Sequence, residues 1–265
     1  MLEDIFHEPM PIISTVVIPP LPGSPRFSGD FEEVVEKVVN EALELSKLGV
    51  DGLILENLGD VPYYKDRAPA ETVACIGRIL CEVRSKVNIP IGVNVLRNCA
   101  RESMALAYAF GGQFIRVNVL TEAYVTDQGI IEGAAAELMR VRRLMGAEHI
   151  KVFADVHVKH AAPLLPRDIR ESALDLVERG MADAIIVTGP RTGEPPSADD
   201  LRAVKGVAPV LIGSGLNTDN VERLLPLADG AIVGTYFRVG GRLGDRIDHE
   251  RVRSFMELVR RIRRR

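Results

Sequence analysis

Runs of buried-strand type alternate with runs of helical period along the whole chain. Residues 12–18 are continuously apolar and β-branched, and the prolines of 19–25 end that strand because they cannot continue a ladder. Phe31, Val34, Val35, Val38, Val39, Ala42 and Leu43 recur at helical spacing. Asp30 and Glu33 open this helix like a capping box, and Gly49 closes it. A strand over 52–57, a loop over 58–64, a helix over 69–86 and a strand over 91–96 follow. The phrase continues with a helix near 100–110, a strand over 114–120, a long loop over 121–131, an alanine-rich helix ending near Gly146, and a strand over 150–158. Asp168 and Glu171 cap the next helix, which stops at Gly180, and 184–188 is the sixth strand. Ser197 caps a short helix ending at Gly206, strands seven and eight cover 209–212 and 231–236, and a last helix starts near Asp248.

Strands alternating with helices imply a parallel sheet. Eight such units without a linker, in 265 residues, favour one closed (β/α)8 barrel domain spanning 1–265, a TIM barrel, over an open doubly wound sheet. No Gly-x-Gly-x-x-Gly follows the first strand, which weakens a dinucleotide site.

In such a barrel one strand face packs on helices, where charges are costly, so parity sorts the faces. Val93 and Val95 face out and leave Asn94 in the lumen; Leu53 and Leu55 leave Glu56; Ile115, Val117 and Val119 leave Arg116 and Asn118. Over 150–158, Val152, Ala154, Val156 and Val158 face out, whereas Phe153, Asp155, His157 and then Lys159 face in. His160 has the opposite parity and is assigned to a supporting position or to solvent. Active sites of this fold lie at the C-terminal strand ends. The expected catalytic set is therefore His157, Asp155, Lys159, Glu56, Asn118, Arg116 and Asn94, with Asp127 and Gln128 as weaker candidates. An acid, an imidazole and an amine sharing one lumen suit proton transfer. Arg116 and Asp155 are equally readable as a buried structural pair. A divalent ion held by Glu56, Asp155 and His157 is a further use of the same groups; no other cofactor is indicated.

Glycines at the ends of the last strands let backbone N–H groups approach an anion. Gly213, Ser214 and Gly215 follow strand seven, with Thr218 placed to cap the next helix. Gly234 and Thr235 follow strand eight, and Thr188 and Gly189 complete a phosphate cradle.

Composition narrows the partners. With 46% hydrophobic and 26% charged residues the chain is of globular type, and a net charge of −4 gives no general attraction to nucleic acid. No apolar run suffices for a transmembrane segment and no basic-then-apolar leader is evident, so a cytoplasmic location is expected. Cys75, Cys81 and Cys99 lack metal-type spacing and read as buried thiols in a reducing compartment. Val252, Phe255, Met256, Val259 and Ile262 form an apolar stripe among arginines, readable as a membrane-surface helix or, preferably, as the last barrel helix. The sequence is compatible with a homo-oligomer.

Several phrases carry a resemblance: Pro20-Leu-Pro-Gly-Ser-Pro25, the stretch 49–57 with Gly59-Asp60, Arg116-Val-Asn-Val-Leu120, the stretch 126–133, Ala154-Asp-Val-His-Val-Lys-His160 and Leu211-Ile-Gly-Ser-Gly215. Together they resemble the BtpA family over nearly the whole chain. Val17-Ile-Pro-Pro20 departs from a Val-His-Pro phrase expected in many members. The resemblance implies a TIM barrel related to ribulose-phosphate-binding barrels, and a link of one photosynthetic relative to photosystem I biogenesis. It transfers no catalytic residues. The residues themselves favour an enzyme of isomerase, epimerase or lyase type acting on a phosphorylated sugar or nucleotide-like metabolite. In that reading Asp155 and His157 carry protons, Glu56 is a second acid/base, and Lys159 steadies an enolate or oxyanion. A non-catalytic assembly factor is the rival.

Overall fold

A computed structural model describes residues 2–264. After a short helix α1 (Leu2–Phe6) the chain runs β1 (Ile12–Val17), α2 (Phe31–Lys47), β2 (Gly52–Glu56), α3 (Ala70–Lys86), β3 (Ile91–Asn94), α4 (Ala100–Phe110) and β4 (Phe114–Val117). A hairpin, β5 (Ala123–Thr126) and β6 (Gly129–Glu132), precedes α5 (Ala135–Leu144), β7 (Lys151–Val156) and β8 (Ala161–Pro163). The remainder is α6 (Ile169–Glu178), β9 (Ala184–Val187), α7 (Ala198–Val204), β10 (Val210–Ile212), α8 (Val221–Leu224), β11 (Gly230–Val233) and α9 (His249–Arg263). β1, β2, β3, β4, β7, β9, β10 and β11 pair in parallel and close into a barrel, the architecture expected from the alternating pattern.

The capping signals act as anticipated at three helices, where Asp30, Asp168 and Ser197 each accept a hydrogen bond from a first-turn N–H, and Asp248 does the same at the start of α9. Thr218 does not cap α8. Its hydroxyl meets the Tyr236 hydroxyl at 2.8 Å, while Asn217 Oδ1 takes the N–H groups of Asp219 and Asn220.

The lumen is layered. Its N-terminal half is apolar, filled by Ile13, Ile54, Phe114, Phe153, Ile186, Leu211 and Ile232, and α1 plugs that end with Leu2 and Phe6. Phe114 and Phe153 stack with centroids 4.8 Å apart. Gly92 leaves the space they need, since a Cβ there would lie 2.1 Å from the Phe114 ring. This plug forces polar chemistry to the C-terminal half. Outside, the expected valines and leucines of the strands pack on the helices. The stripe Val252, Phe255, Met256, Val259 and Ile262 of α9 is buried there, which makes α9 a barrel helix rather than a membrane-surface one. Among the described residues no helix is long and apolar enough to cross a membrane.

β1 and β11 pair only as far as Ser14 and Val233, so the backbone of β1 beyond that point needs other partners. Glu41 of α2 and the fully buried Arg238 supply them. Glu41 Oε1 accepts from the Val17 N–H at 3.0 Å and from Arg238 Nη2 at 2.8 Å, and Arg238 Nη2 also donates to the Thr15 carbonyl at 2.6 Å.

The loop expected over 121–131 is instead the β5–β6 hairpin, and β8 adds to its other edge as a three-stranded antiparallel sheet, ordered β6-β5-β8. Val119, Tyr124, Ile131 and Val158 form a small separate core beneath it. Val119 and Val158 thus pack under the hairpin, not against the barrel helices as strand parity had suggested. Strands β4 and β7 end at Val117 and Val156, before alternation can govern either residue.

Candidate active site at the barrel mouth

Four strands contribute to one buried polar layer. Arg116 of β4 lies at its centre, donating from Nε to Asp155 Oδ2 at 3.0 Å, from Nη2 to Asp155 Oδ1 at 2.8 Å and from Nη1 to Glu56 Oε1 at 3.2 Å. Asn118 Nδ2 donates to Asp155 Oδ2 at 2.9 Å, and Asn94 Nδ2 to Glu56 Oε1 at 2.8 Å. All five side chains are nearly inaccessible to bulk solvent. The flanking carboxylates outweigh burial at Arg116 and push its pKa above the ordinary arginine value. Each lumen residue of this layer therefore points where parity put it.

The two carboxylates differ. Both oxygens of Asp155 accept from Arg116, and Oδ2 also from Asn118. Both bonds to Glu56 end on Oε1, and Oε2 receives neither. Above the layer a cavity of about 250 Å³ is lined by Glu56, Asn94, Arg116, Asn118, Lys159 and His160, with Tyr63, Arg97 and Thr192 at its sides. Lys159 is half-buried there. Burial and the neighbouring Arg116 guanidinium, with a lesser share from Arg97, bring its amine down to about 8, against the pull of Glu56 and Asp155.

His157 is a correction. β7 ends at Val156, and His157 takes φ +50°, a left-handed backbone that breaks the alternation. Its Nε2 lies 3.3 Å from the Ser172 hydroxyl of α6, and Ser172 in turn donates to Glu122 at 2.7 Å. The imidazole is thus directed at a helix, not into the lumen beside Asp155. The histidine at the mouth is His160, also left-handed at φ +56°. His160 Nε2 sits 2.8 Å from Thr192 Oγ1, tying the segment after β7 to the loop after β9. Burial, then Lys159 and Arg97, lower its pKa.

Arg97 escaped sequence reasoning altogether, because it follows β3 in a loop where no period applies. Its Nη2 donates to the Lys159 carbonyl at 2.8 Å and its Nη1 to the His160 carbonyl at 3.5 Å. Nη1 also faces Asp127 Oδ1 at 3.6 Å, so Asp127 serves the mouth through Arg97, and Gln128 bonds Asp127. Burial lowers the pKa of Arg97. Arg97 Nε, Asn118 Oδ1 and Thr188 Oγ1 are buried polar atoms without a hydrogen-bond partner, three orphaned groups in residues at the strand ends.

The glycine loops are occupied differently than expected. A Cβ on Gly215 would fall 2.1 Å from Pro195 N, and one on Gly189 would fall 2.3 Å from the Glu194 carbonyl. Ser214 Oγ donates to that same carbonyl at 2.8 Å and accepts from the Gly189 N–H at 3.3 Å. Gly189 and Gly215 are thus small so that the chain's own Glu194–Pro195 segment can pack on them. Gly213 makes room for Ile186 and Thr188, and Gly234 for Leu243 and Thr15. Thr235 opens the 3-10 turn Thr235–Phe237, and its hydroxyl is 3.6 Å from where a Gly193 side chain would begin.

The metal set proposed from sequence is not assembled. His157 turns away, and Arg116 bridges Glu56 and Asp155 in the place a cation would take. Among the described residues no group of three His, Cys, Asp or Glu side chains is set to hold a metal ion. Of the cysteines, Cys99 is buried, Cys75 partly so and Cys81 exposed, and all three are free.

The BtpA family profile matches residues 8–261. An uncharacterised protein of Pyrococcus furiosus is 44% identical over 259 residues, 97% of each chain. The photosystem I biogenesis protein BtpA of Synechocystis is 42% identical over 262 residues, covering 97% of this chain and 91% of that one. Among solved structures, N-(5′-phosphoribosyl)anthranilate isomerase from Pyrococcus furiosus aligns with a TM-score of 0.57 at 16% identity, over 97% of this chain and 100% of the other. That likeness shows a shared TIM-barrel fold. With one profile spanning nearly all of it and relatives this similar along its length, the chain belongs to the BtpA family.

Proposed function

We propose that the barrel mouth is the active site of an enzyme acting on a phosphorylated sugar or nucleotide-like metabolite. The chemistry is proton transfer at a carbon beside a carbonyl, of isomerase, epimerase or lyase type. One observation carries this reading: Glu56, with an oxygen outside the buried network, shares a cavity with the Lys159 amine. Glu56 takes or gives the proton, Asn94 and Arg116 hold it in place, and Lys159 steadies the developing enolate oxygen. Asp155 clamps Arg116, and Asn118 offers its orphaned Oδ1 to a substrate hydroxyl. Phosphate is assigned to the ends of β9 and β11, where Thr188 Oγ1 is unpartnered and the Gly234–Thr235 turn begins. Lys159, Arg97 and Arg116 make this cavity suit an anion. The cavity of about 320 Å³ beside Ser24, Asp60 and Glu71 has no cation in its lining.

Deuterium exchange tests the reading. Sugar phosphates incubated with the protein in heavy water should gain deuterium beside the carbonyl. Glu56→Gln should lower that rate by roughly 10²–10⁴-fold. Equal exchange by Glu56→Gln and wild type contradicts the assignment.

A second reading, an assembly factor, takes support from the outer face of the three-stranded sheet. Val125 and Ile130 are cross-strand partners and both exposed, and Leu164 and Leu165 beyond β8 are exposed as well. Val125→Lys with Ile130→Lys should abolish partner capture without touching exchange; capture that survives the pair removes this face from the assembly reading.

A further inference from the structure

We infer that Lys159 Nζ acts covalently, condensing with an aldehyde or ketone carbonyl of the substrate to form an imine in the barrel mouth. The inference rests on the proton-transfer reading, puts a covalent role for Lys159 in place of its contact to an enolate oxygen, and narrows the substrate class to phosphorylated aldehydes and ketones, setting aside esters and amides.

Three features of the site lead there. First, the lumen contains two carboxylates, yet Lys159 takes neither. Arg116 engages both oxygens of Asp155 and Oε1 of Glu56, and Lys159 forms no ion pair within 4 Å among the described residues. An amine that serves only as a structural cation is expected to sit against a carboxylate.

Second, the amine is held at the cavity by its backbone. Arg97 grips the carbonyls of Lys159 and His160, and His157 and His160 bracket the segment in left-handed conformations at φ +50° and +56°. These sparsely populated conformations persist only where the surroundings over-determine them. The β5–β8 pairing directly after His160 supplies that constraint, since Thr126 pairs with Ala161.

Third, the cations Arg116 and Arg97 lie near a half-buried amine, the setting in which a lysine releases its proton near neutrality and becomes nucleophilic. Glu56 and Asn118 line the same cavity and supply proton transfer and a hydroxyl contact.

The step balances without an outside reagent. The neutral amine's lone pair attacks the carbonyl carbon, a C–N bond forms, and the carbonyl oxygen takes a proton to give a carbinolamine. The C–O bond then breaks, and the oxygen leaves as water carrying both former amine protons, with Glu56 Oε2 passing them across. Nothing is oxidised or reduced. The imine then draws electrons from the neighbouring carbon, which lowers the barrier to proton loss or carbon–carbon cleavage there.

Borohydride trapping tests this on the full chain. Dihydroxyacetone phosphate and glyceraldehyde 3-phosphate are incubated separately with the protein, reduced with borohydride, and the products mapped by peptide mass spectrometry. The expected result is an adduct on Lys159, of the probe's mass less one oxygen atom, formed while the other lysines stay largely unmodified. Lys159→Arg keeps the cation and the fold but cannot form a neutral imine, so it should lose both the adduct and the deuterium exchange. Exchange by wild type with no adduct on Lys159 from either probe overturns the imine and leaves the proton-transfer reading standing. Undiminished exchange by Lys159→Arg overturns the imine in the same way. Absence of both exchange and adduct overturns both.

Discussion

The guanidinium of Arg116 holds Asp155 at two points, Nε to Oδ2 at 3.0 Å and Nη2 to Oδ1 at 2.8 Å. Asp155 is therefore the anchor of the lumen, and Arg116 the bridge from that anchor to Glu56. The same two residues were open to a purely structural reading from sequence. Their geometry makes them a buried pair that also reaches Glu56, because Arg116 Nη1 holds Glu56 Oε1 and leaves Oε2 outside the network.

Asp155→Asn should accordingly destabilise. It leaves a buried Arg116 with Glu56 alone, and breaking a buried pair costs about 3–5 kcal/mol. Urea unfolding followed by circular dichroism measures the loss. A midpoint unchanged from wild type contradicts the anchoring role.

Lys159→Met should stabilise at neutral pH, with a dependence whose sign follows from the lowered amine pKa. The folded value, about 8, lies below the ordinary 10.5. Between those values the unfolded chain binds the extra proton, so wild-type stability rises with pH through that window. Below about 8 the wild type carries the full cost of a charged amine in the mouth. The variant's advantage should be largest there and should fade towards pH 10.5. Thermal melts of both proteins at several pH values check it, and a difference independent of pH argues against a depressed amine.

His157→Asn, which lumen parity alone would mark as severely damaging, should reduce deuterium exchange less than tenfold, because the ring faces Ser172 and not the cavity. General acid–base groups contribute on the order of 10²–10⁴-fold, so a loss of that size would return His157 to the mechanism.

How far the site could be read in advance follows from where strand alternation holds. Glu56, Asn94, Arg116 and Asp155 lie within β2, β3, β4 and β7, where helices cover one face and a charge has only the lumen to enter. Asn118 is one residue beyond β4 and still follows it through its bond to Asp155. At His157 the chain leaves the barrel to form β8, so period two no longer governs, and His160 rather than His157 reaches the mouth. The hairpin left a signal in the stretch assigned to a loop: two short runs of strand-favouring residues, Tyr124–Thr126 and Ile130–Ile131, flank a turn containing Gly129. The plug likewise left a signal that the strand-and-helix pattern, begun at residue 12, did not use: Leu2, Ile5 and Phe6 at helical spacing. Arg97 and the Glu41–Arg238 pair were not legible. Each depends on contacts between segments far apart in sequence, 62 residues from Arg97 to Lys159 and 197 from Glu41 to Arg238.

Gly215→Asp is expected to disturb the fold locally, not merely to repel an anion. Gly215 has φ +75°, and any Cβ would collide with Pro195. The segment 189–196 should become protease-sensitive in the variant, as limited proteolysis would reveal. Wild-type resistance in Gly215→Asp would show that the loop adapts.

In the proposed chemistry an amine set free in a charged mouth meets a phosphorylated carbonyl compound, and the carbon resonance of its Cε group reports this directly. In protein carrying 13C-labelled lysine, with Lys159→Met to assign the signal, the Lys159 resonance should titrate near pH 8. It should also be the lysine signal displaced most by adding dihydroxyacetone phosphate. A Lys159 signal that titrates at the ordinary lysine value and ignores the ligand would contradict a nucleophilic Lys159.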